Sequence, residues 1–583
     1  MTAELRRIRD LERRGRSWEE VYTQEVCQEL TKLLARPGCK MVLKPVQAAG
    51  LVELHDTGGW FGQAGVGSGK TLITMLAPVI LKAKRPLIIV PSKLLGKTID
   101  EFRRYDEHFD LIAPRFGKYE ILSRAGGAKE YLWDYEPDLI ILDEAHKCAR
   151  SSGPRAKKIR HYVREMAKRG KRVIVVVMSG TFAKRSIEDF AHMAEWTHPD
   201  TCPIPRDAYK GERLLWSKAL DEGVPDHQRV QIGALSHLVP ADLNEPDPTK
   251  RARIAVQRRI FETPGFLATK SNDVADCSLT IQCHQVMVPK EIDKLIGDVK
   301  HSWRKPPHEG QKGDEIRSAA EMWATTYALS NDMFHYWREP GPFDWMNARS
   351  AYFAAVRKVL AKSRHLYTPD ELSREIAKEG ESHALWPEYS AWKAIEKTFK
   401  PDPAVRFIST FSLDWVVAWA KENQGLIWVK YPEFGARIAK RLGVKYYGGG
   451  GLASDESTIE AASRVEPLAV ASIEANFEGR NLQEGLWSKM LFTSPPTTGR
   501  MVEQAIARLH RPGQLADEVE AHFMISTREQ LNGFLQSMRD GGFYNAIFGA
   551  DFKLVEGGKT ADVILPDWKK SGGAWAEPRK IAA

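Results

Sequence analysis

Long apolar runs are missing from this sequence. None approaches the ~18 residues that a membrane-spanning helix needs, so no membrane association is expected. Cysteine is scarce as well: there are six in 583 residues (Cys27, Cys39, Cys148, Cys202, Cys277, Cys283), and none forms a C-x-x-C pair. This scatter excludes a disulfide scaffold and offers no paired ligands for structural zinc, so free thiols in a reducing compartment are expected. Six arginines crowd the first sixteen residues, but no apolar stretch follows them, and a secretory signal is not expected there. Low-complexity tracts and internal repeats are absent. Charge of one sign is only mildly in excess. The 85 Lys and Arg face 76 Asp and Glu, a net +9 that would be a weak field if spread evenly.

What is present is patterned. The chain is several times the ordinary domain length of ~100–200 residues, which predicts two or more domains. Between 41 and 265, β-branched runs (Leu87–Val90, Leu139–Leu142, Val173–Val177) alternate with amphipathic helical stretches. Continuous apolar strands alternating with helices predict a parallel sheet covered on both faces. A second set (Leu426–Val429, Leu468–Ile473, Met490–Phe492) predicts another α/β unit. The expected organisation has five parts: a charged helical segment at 1–40, solvated or a docking arm; a first lobe at 41–265; a linker and mostly helical insert at 266–404; a second lobe at 405–550; and a tail at 551–583. The insert holds Trp303, Trp323, Trp337, Trp345, Trp386 and Trp392 while its charges nearly cancel. A Trp-rich core is expected there rather than a base-stacking surface at Trp303–Lys305 or Trp337–Arg338.

After a strand-like stretch at 58–61 comes Gly62-Gln-Ala-Gly-Val-Gly-Ser-Gly-Lys-Thr71, followed by an apolar helical run. Ala64, Gly65, Gly67 and Gly69 let backbone N–H groups converge on phosphate oxygens, and the helix N-terminus adds its positive dipole end. Lys70 would neutralise β/γ phosphates and the Thr71 hydroxyl would ligate Mg²⁺. The run Leu139–Leu142 leads directly into Asp143-Glu144-Ala145-His146. Asp143 would hold the Mg²⁺ through its water shell, and Glu144 would polarise the attacking water. Together these residues predict an NTP hydrolase.

From here the residues resemble the superfamily 2 helicases, in particular the Swi/Snf-type translocases that carry a D-E-A-H box. Leu43-Lys-Pro-Val-Gln47 resembles the upstream element whose Gln reads adenine. Ile89-Val-Pro-Ser92, with Lys93 beside it, resembles motif Ia, and Ser123 sits near motif Ib; in the family both touch the nucleic-acid backbone. Ser179-Gly-Thr181 resembles motif III. Gly479-Arg-Asn481-Leu-Gln resembles motif V, with Ser472 as its strand-contacting hydroxyl. The longest match is Gln504-Ala-Ile-Ala-Arg508-Leu-His-Arg511-Pro-Gly-Gln514, which resembles motif VI. Its Gln504, Arg508 and Arg511 recur at helical spacing, so one helix face can reach a phosphate bound by the other lobe. Three positions depart from the family pattern: Phe182 stands where motif III has Pro, Thr98 where a Trp often follows motif Ia, and Glu474-Ala-Asn-Phe-Glu-Gly479 where motif V is Gly-rich.

The resemblance implies an α/β fold of two RecA-like parallel-sheet lobes with a helical insert, ATP in the cleft between lobes, and Mg²⁺. It implies Lys70, Glu144, Gln504, Arg508 and Arg511 as the catalytic set, with Gln47, the 64–71 loop and Gly479 binding nucleotide. The implied activity is DNA-stimulated ATP hydrolysis driving translocation. A strand-separating helicase in replication or repair is an alternative, as is an ATP-gated clamp without motor activity. Duplex or single-stranded DNA would be the partner, with replication or repair proteins beside it and a monomer on the track. A compact prokaryotic or viral member, in the cytoplasm of a bacterial or virus-infected cell, is the expectation. The charge has a location too: between Ser151 and Arg172, nine basic residues face only Glu165. Ile159, Val163 and Met166 give that segment a core-facing stripe, so one helix with a basic outer surface is expected. Lys157, Lys158 and Arg160 are its candidate phosphate contacts.

Overall fold

The structure is a computed structural model. It describes residues 1–555 apart from 66–67, 125, 127, 150, 184, 223, 225, 270–276, 309–312 and 363–368, and beyond 555 only 564–568 and 575–580. Two six-stranded sheets organise the chain. The first contains β1 (Trp60–Gln63), β2 (Pro86–Val90), β3 (Arg115–Lys118), β4 (Leu139–Asp143), β5 (Ile174–Ser179) and β6 (Phe266–Ala268). Its order is β3-β2-β4-β5-β1-β6, parallel throughout. Strands β2 and β4 are buried at every position, which is why they read as continuous Leu/Ile/Val runs.

The second sheet orders β11 (Tyr446–Tyr447), β12 (Leu468–Ser472), β10 (Gly425–Val429), β13 (Lys489–Phe492), β14 (Glu518–Ile525) and β7 (Ser278–Gln285), again all parallel. The sequence reading gave 266–404 to a linker and insert. Here β6 closes the first sheet and β7 edges the second, paired with β14 over eight residues. The reason the pattern hid β7 is physical: an edge strand with polar residues between its apolar ones (Ser-Leu-Thr-Ile-Gln-Cys-His-Gln) lacks the run of a central strand.

The remainder of that segment is mostly helical, with two antiparallel strands, β8 (Met333–Trp337) and β9 (Pro403–Phe407). Between these strands, Trp345, Tyr352, Val356, Leu372, Ile376 and Trp392 form a separate core, with the Trp345 and Trp392 rings edge-on at 5.0 Å. Arg349 covers Trp337 at 5.0 Å and Arg357 covers Trp303 at 5.6 Å, so the tryptophans are absorbed in packing. The N-terminal segment docks: Leu5 and Ile8 are fully buried, and Glu4 is held by Arg7 and Arg206. Among the tail residues, Gly557-Gly558-Lys559 and Lys569–Gly573 lie outside the described residues.

The two sheets are joined by more than the chain. The helix Arg528–Phe548 lays its side chains against the first unit. The Phe548 ring is 5.0 Å from Phe190, the Tyr544 hydroxyl donates to the Gly180 carbonyl at 2.7 Å, and Arg185 pairs with Asp540 at 2.7 Å. Phe182, where a proline was expected by resemblance, stacks on Phe61 at 4.2 Å and feeds the same aromatic cluster. Burying such rings is worth ~1.5–3 kcal/mol each. The core therefore runs without a break from one sheet to the other. No helix among the described residues is long and apolar enough to cross a membrane.

Candidate functional site

Strand β1 ends at Gln63, and the helix Lys70–Ile80 begins seven residues later with Gly69 as its N-cap. Gly69 has φ +79°, and a Cβ there would sit 2.2 Å from the Gln47 amide nitrogen, so only glycine fits. Lys70 Nζ donates to the carbonyls of Ala64 (2.8 Å) and Gly65 (3.0 Å), which holds the ammonium inside its own loop. The Gly65 amide donates to the Thr269 hydroxyl at 2.9 Å. Gly67 lies outside the described residues. Gln47 is buried, and both ends of its amide are used: Oε1 accepts from the Lys44 amide (2.8 Å) and Nε2 donates to the Gly69 carbonyl (3.1 Å). It props the loop and does not line the cleft below.

Central strand β4 delivers Asp143 at its C-terminal end, and the chain then turns sharply. Glu144 adopts φ +55°, a left-handed conformation costly for a carboxylate side chain, and its amide donates to Asp143 Oδ1 at 3.0 Å. The turn brings Glu144 Oε2 within 3.1 Å of His146 Nδ1, which also meets the Ser179 hydroxyl at 3.1 Å. Ser179 Oγ in turn accepts from the Thr181 amide. The two carboxylates are pushed apart. Burial and the neighbouring Glu144 charge raise Asp143 to about 7. Glu144 goes the other way despite its burial, because the His146 hydrogen bond and the Lys70 charge hold it far below the usual carboxylate range. One group is thus poised to gain a cation and the other stays an anion.

The second unit closes the site. Helix Gly499–Ile506 and the turn after it carry Gln504, Arg508 and Arg511 to a cleft of about 230 Å³ that also contains Gly69, Lys70, Thr71, Asp143 and Glu144. Arg508 is buried, donating to the carbonyls of Gln504 (2.9 Å) and Arg480 (2.7 Å), and burial with the Arg511 charge lowers it to about 10. Gln504 Oε1 is buried without a hydrogen-bond partner. Gly479 has φ +76°, and a Cβ on it would meet Leu94 of the first unit at 2.3 Å. The cleft thus gathers the carboxylates of Glu101, Asp143 and Glu144 from the first unit and of Glu478 from the second, with cationic side chains from both. No family model and no curated protein matches the chain.

A hard divalent cation fits this donor set. Thr71 and Asp143 offer oxygen only, and the raised Asp143 is a buried carboxylate that a cation would stabilise. Among the described residues no group of three or more His, Cys, Asp or Glu could hold a metal ion by itself, so water or ligand oxygens would complete the shell of such a cation.

The candidate nucleic-acid residues are dispersed. Ser92 is exposed, and Lys93 Nζ donates across to the Glu474 carbonyl at 3.1 Å. Ser472 is buried at the end of β12. Asn481 lines the cleft, where its Oδ1 accepts from Arg511 at 3.3 Å, so it groups with Lys70, Asp143 and Arg511. The basic helix forms as Pro154–Lys168, burying Ala156, Ile159, Tyr162 and Met166. Its cations are largely engaged within the chain: Arg155 with the Ser123 hydroxyl, Lys158 with the Arg124 carbonyl, Arg160 and Arg164 with Asp207. Lys157 stays exposed. Sequence reasoning missed Glu478, which also lines the cleft. The departure of 474–479 from a Gly-rich motif was the one signal of it.

Proposed function

We propose that the chain is a DNA-stimulated ATPase built on two RecA-like lobes, coupling ATP hydrolysis to movement along DNA. The observation that carries this reading is the shared cleft: Lys70, Thr71, Asp143 and Glu144 from one unit face Gln504, Arg508 and Arg511 from the other. In this reading Lys70 and the backbone of the 64–71 loop bind the β/γ phosphates. Mg²⁺ held by Thr71 and Asp143 would spread charge over the phosphate oxygens. Glu144, kept anionic, accepts the proton of a water whose oxygen attacks the γ-phosphorus as its bond to the bridging oxygen breaks. Arg508 and Arg511 oppose the charge that develops there. Since half the set comes from each unit, opening the cleft after hydrolysis disassembles it, and this supplies a power stroke. DNA as the track rests on the resemblance of both units, in order, to the Swi/Snf-type translocases.

Steady-state hydrolysis measured alone and with duplex DNA, single-stranded DNA and RNA tests the reading. Stimulation by DNA is expected; equal rates in all four conditions, or a strong preference for RNA, would sink it. Lys70→Ala should abolish turnover and leave DNA binding intact.

A further inference from the structure

A second cavity, of about 780 Å³, lies between the units beside the nucleotide cleft. Lys147, Arg155, Arg185 and Arg500 line it, and Asp189 is the one carboxylate among its described lining residues. Two of these cations are already claimed by a carboxylate that does not itself line the cavity. Glu478, from the second unit and only 8% exposed, places Oε1 and Oε2 each 3.2 Å from Lys147 Nζ, and Oε1 3.8 Å from Arg500. The same Oε1 is 3.6 Å from His146 Nε2. Burial acts to raise the Glu478 carboxyl, but its contact with His146 and the Lys147 and Arg500 charges hold it down to about 2, so it is an anion throughout the working pH range. Glu478 therefore forms the wall between two clefts, facing the nucleotide on one side and neutralising the cations of the basic cavity on the other.

We propose that Glu478 is an internal competitor for a nucleic-acid backbone phosphate: it occupies Lys147 and Arg500, and a phosphate entering the basic cavity takes them from it. The proposal rests on the reading of the chain as a DNA-dependent enzyme. Lys147 divides its contact between the two carboxylate oxygens at 3.2 Å each, while Arg500 at 3.8 Å is at the outer limit of an ion pair and is the contact an incoming phosphate takes first. Arg155, anchored by the neutral Ser123 hydroxyl, provides a fixed positive charge that attracts an anion whether or not Glu478 has let go, whereas Arg185 is already paired with Asp540. Because Glu478 also reaches His146, which holds Glu144, its displacement is felt at the residue that receives the proton from water. Glu478 is thus a positioning residue and touches no reacting atom.

Fluorescence anisotropy with a labelled DNA duplex, over a range of salt, tests this on the full chain. Glu478→Gln should bind about fivefold more tightly than the parent at low salt, with a salt slope steeper by about one. Glu478→Asp should restore parental affinity. In a Lys147→Ala/Arg500→Ala background, Glu478→Gln should give no gain, as a coupled set requires. Melting temperatures close to the parent's for each variant exclude a packing explanation, and the salt slope is a readout that packing alone does not move. An unchanged affinity in Glu478→Gln, or a gain that persists without Lys147 and Arg500, overturns the inference while a duplex-binding parent leaves the DNA reading intact. A parent that binds no nucleic acid overturns both.

Discussion

At the scale of single residues, the cleft depends on two glycines with left-handed backbones, one in each unit. Gly479 is the more instructive because its steric neighbour lies in the other unit. A methyl group there would strike Leu94 Cδ2, and φ +76° adds a strain of ~1–2 kcal/mol for any L side chain. The clash is relieved either by Leu94 turning its terminal methyl away or by the units moving apart, and sub-ångström placement is what catalysis is most sensitive to. Gly479→Ala should therefore lower kcat on the order of ten- to a hundredfold with little change in melting temperature. Leu94→Ala introduced alongside should recover part of the loss, because it removes the clash and leaves the backbone strain. Recovery of none of it, measured as steady-state ATP turnover, would mean that Leu94 does not set how closely the units meet.

At the scale of elements, the basic helix Pro154–Lys168 divides into two kinds of charge. Arg160 shares Asp207 with Arg164 and the almost fully buried Arg213, so it helps hold the helix to the chain around 207–213. Lys157 is exposed. Arg160→Ala should cost on the order of 1 kcal/mol in urea denaturation, whereas Lys157→Ala should stay within about 0.5 kcal/mol. If Lys157 touches DNA phosphate, its substitution alone should flatten the salt dependence of duplex binding. What the sequence disclosed follows the same division. The strand runs at 87–90, 139–142, 173–177 and 426–429 and the loop at 62–71 are local patterns and could be read; the single helix face expected for Gln504, Arg508 and Arg511 is not formed, since the helix ends at Ile506 and both arginines follow in the turn. Residues whose meaning depends on a distant partner could not be read. Asp207 gives no sign of collecting three arginines, β7 has no run to betray it, and Glu478 finds Lys147 some 330 residues earlier.

At the scale of the whole molecule, the continuous core means that damage in one unit is transmitted to the other. His192 and His198 are buried in the first unit, and burial lowers both to about 4 from an ordinary 6.5. The folded state thus binds fewer protons than the unfolded state between these values. The associated stability is complete above pH 6.5 and is lost as pH falls through 4, on the order of 3 kcal/mol for each imidazole over the full window. Urea unfolding at pH 7.5, 6 and 5 should show decreasing stability, in a single transition because both sheets share the aromatic cluster around Phe182, Phe190 and Phe548. His192→Gln/His198→Gln should lose less than the parent across that interval, the raised carboxyls such as Asp143 contributing equally to both. An identical decline in both would assign the acid sensitivity elsewhere.

The antiparallel pair β8 and β9 carries a consequence for how the chain is assembled. The Arg338 amide, just past the end of β8, donates to the Asp402 carbonyl, just before β9, at 3.0 Å. Everything from 339 to 401, with its own tryptophan core, thus leaves and re-enters at the same point. Such a segment is a cassette on a two-stranded stem: its ends already meet, so exchanging it for a short turn would add almost no loop-closure entropy. Neither sheet is threaded through it. The part of the molecule that holds the shared cleft and the tryptophan-cored part are under different constraints, the first bound by the geometry of that cleft and the second by the width of its stem and by the seats of Arg349 on Trp337 and Arg357 on Trp303.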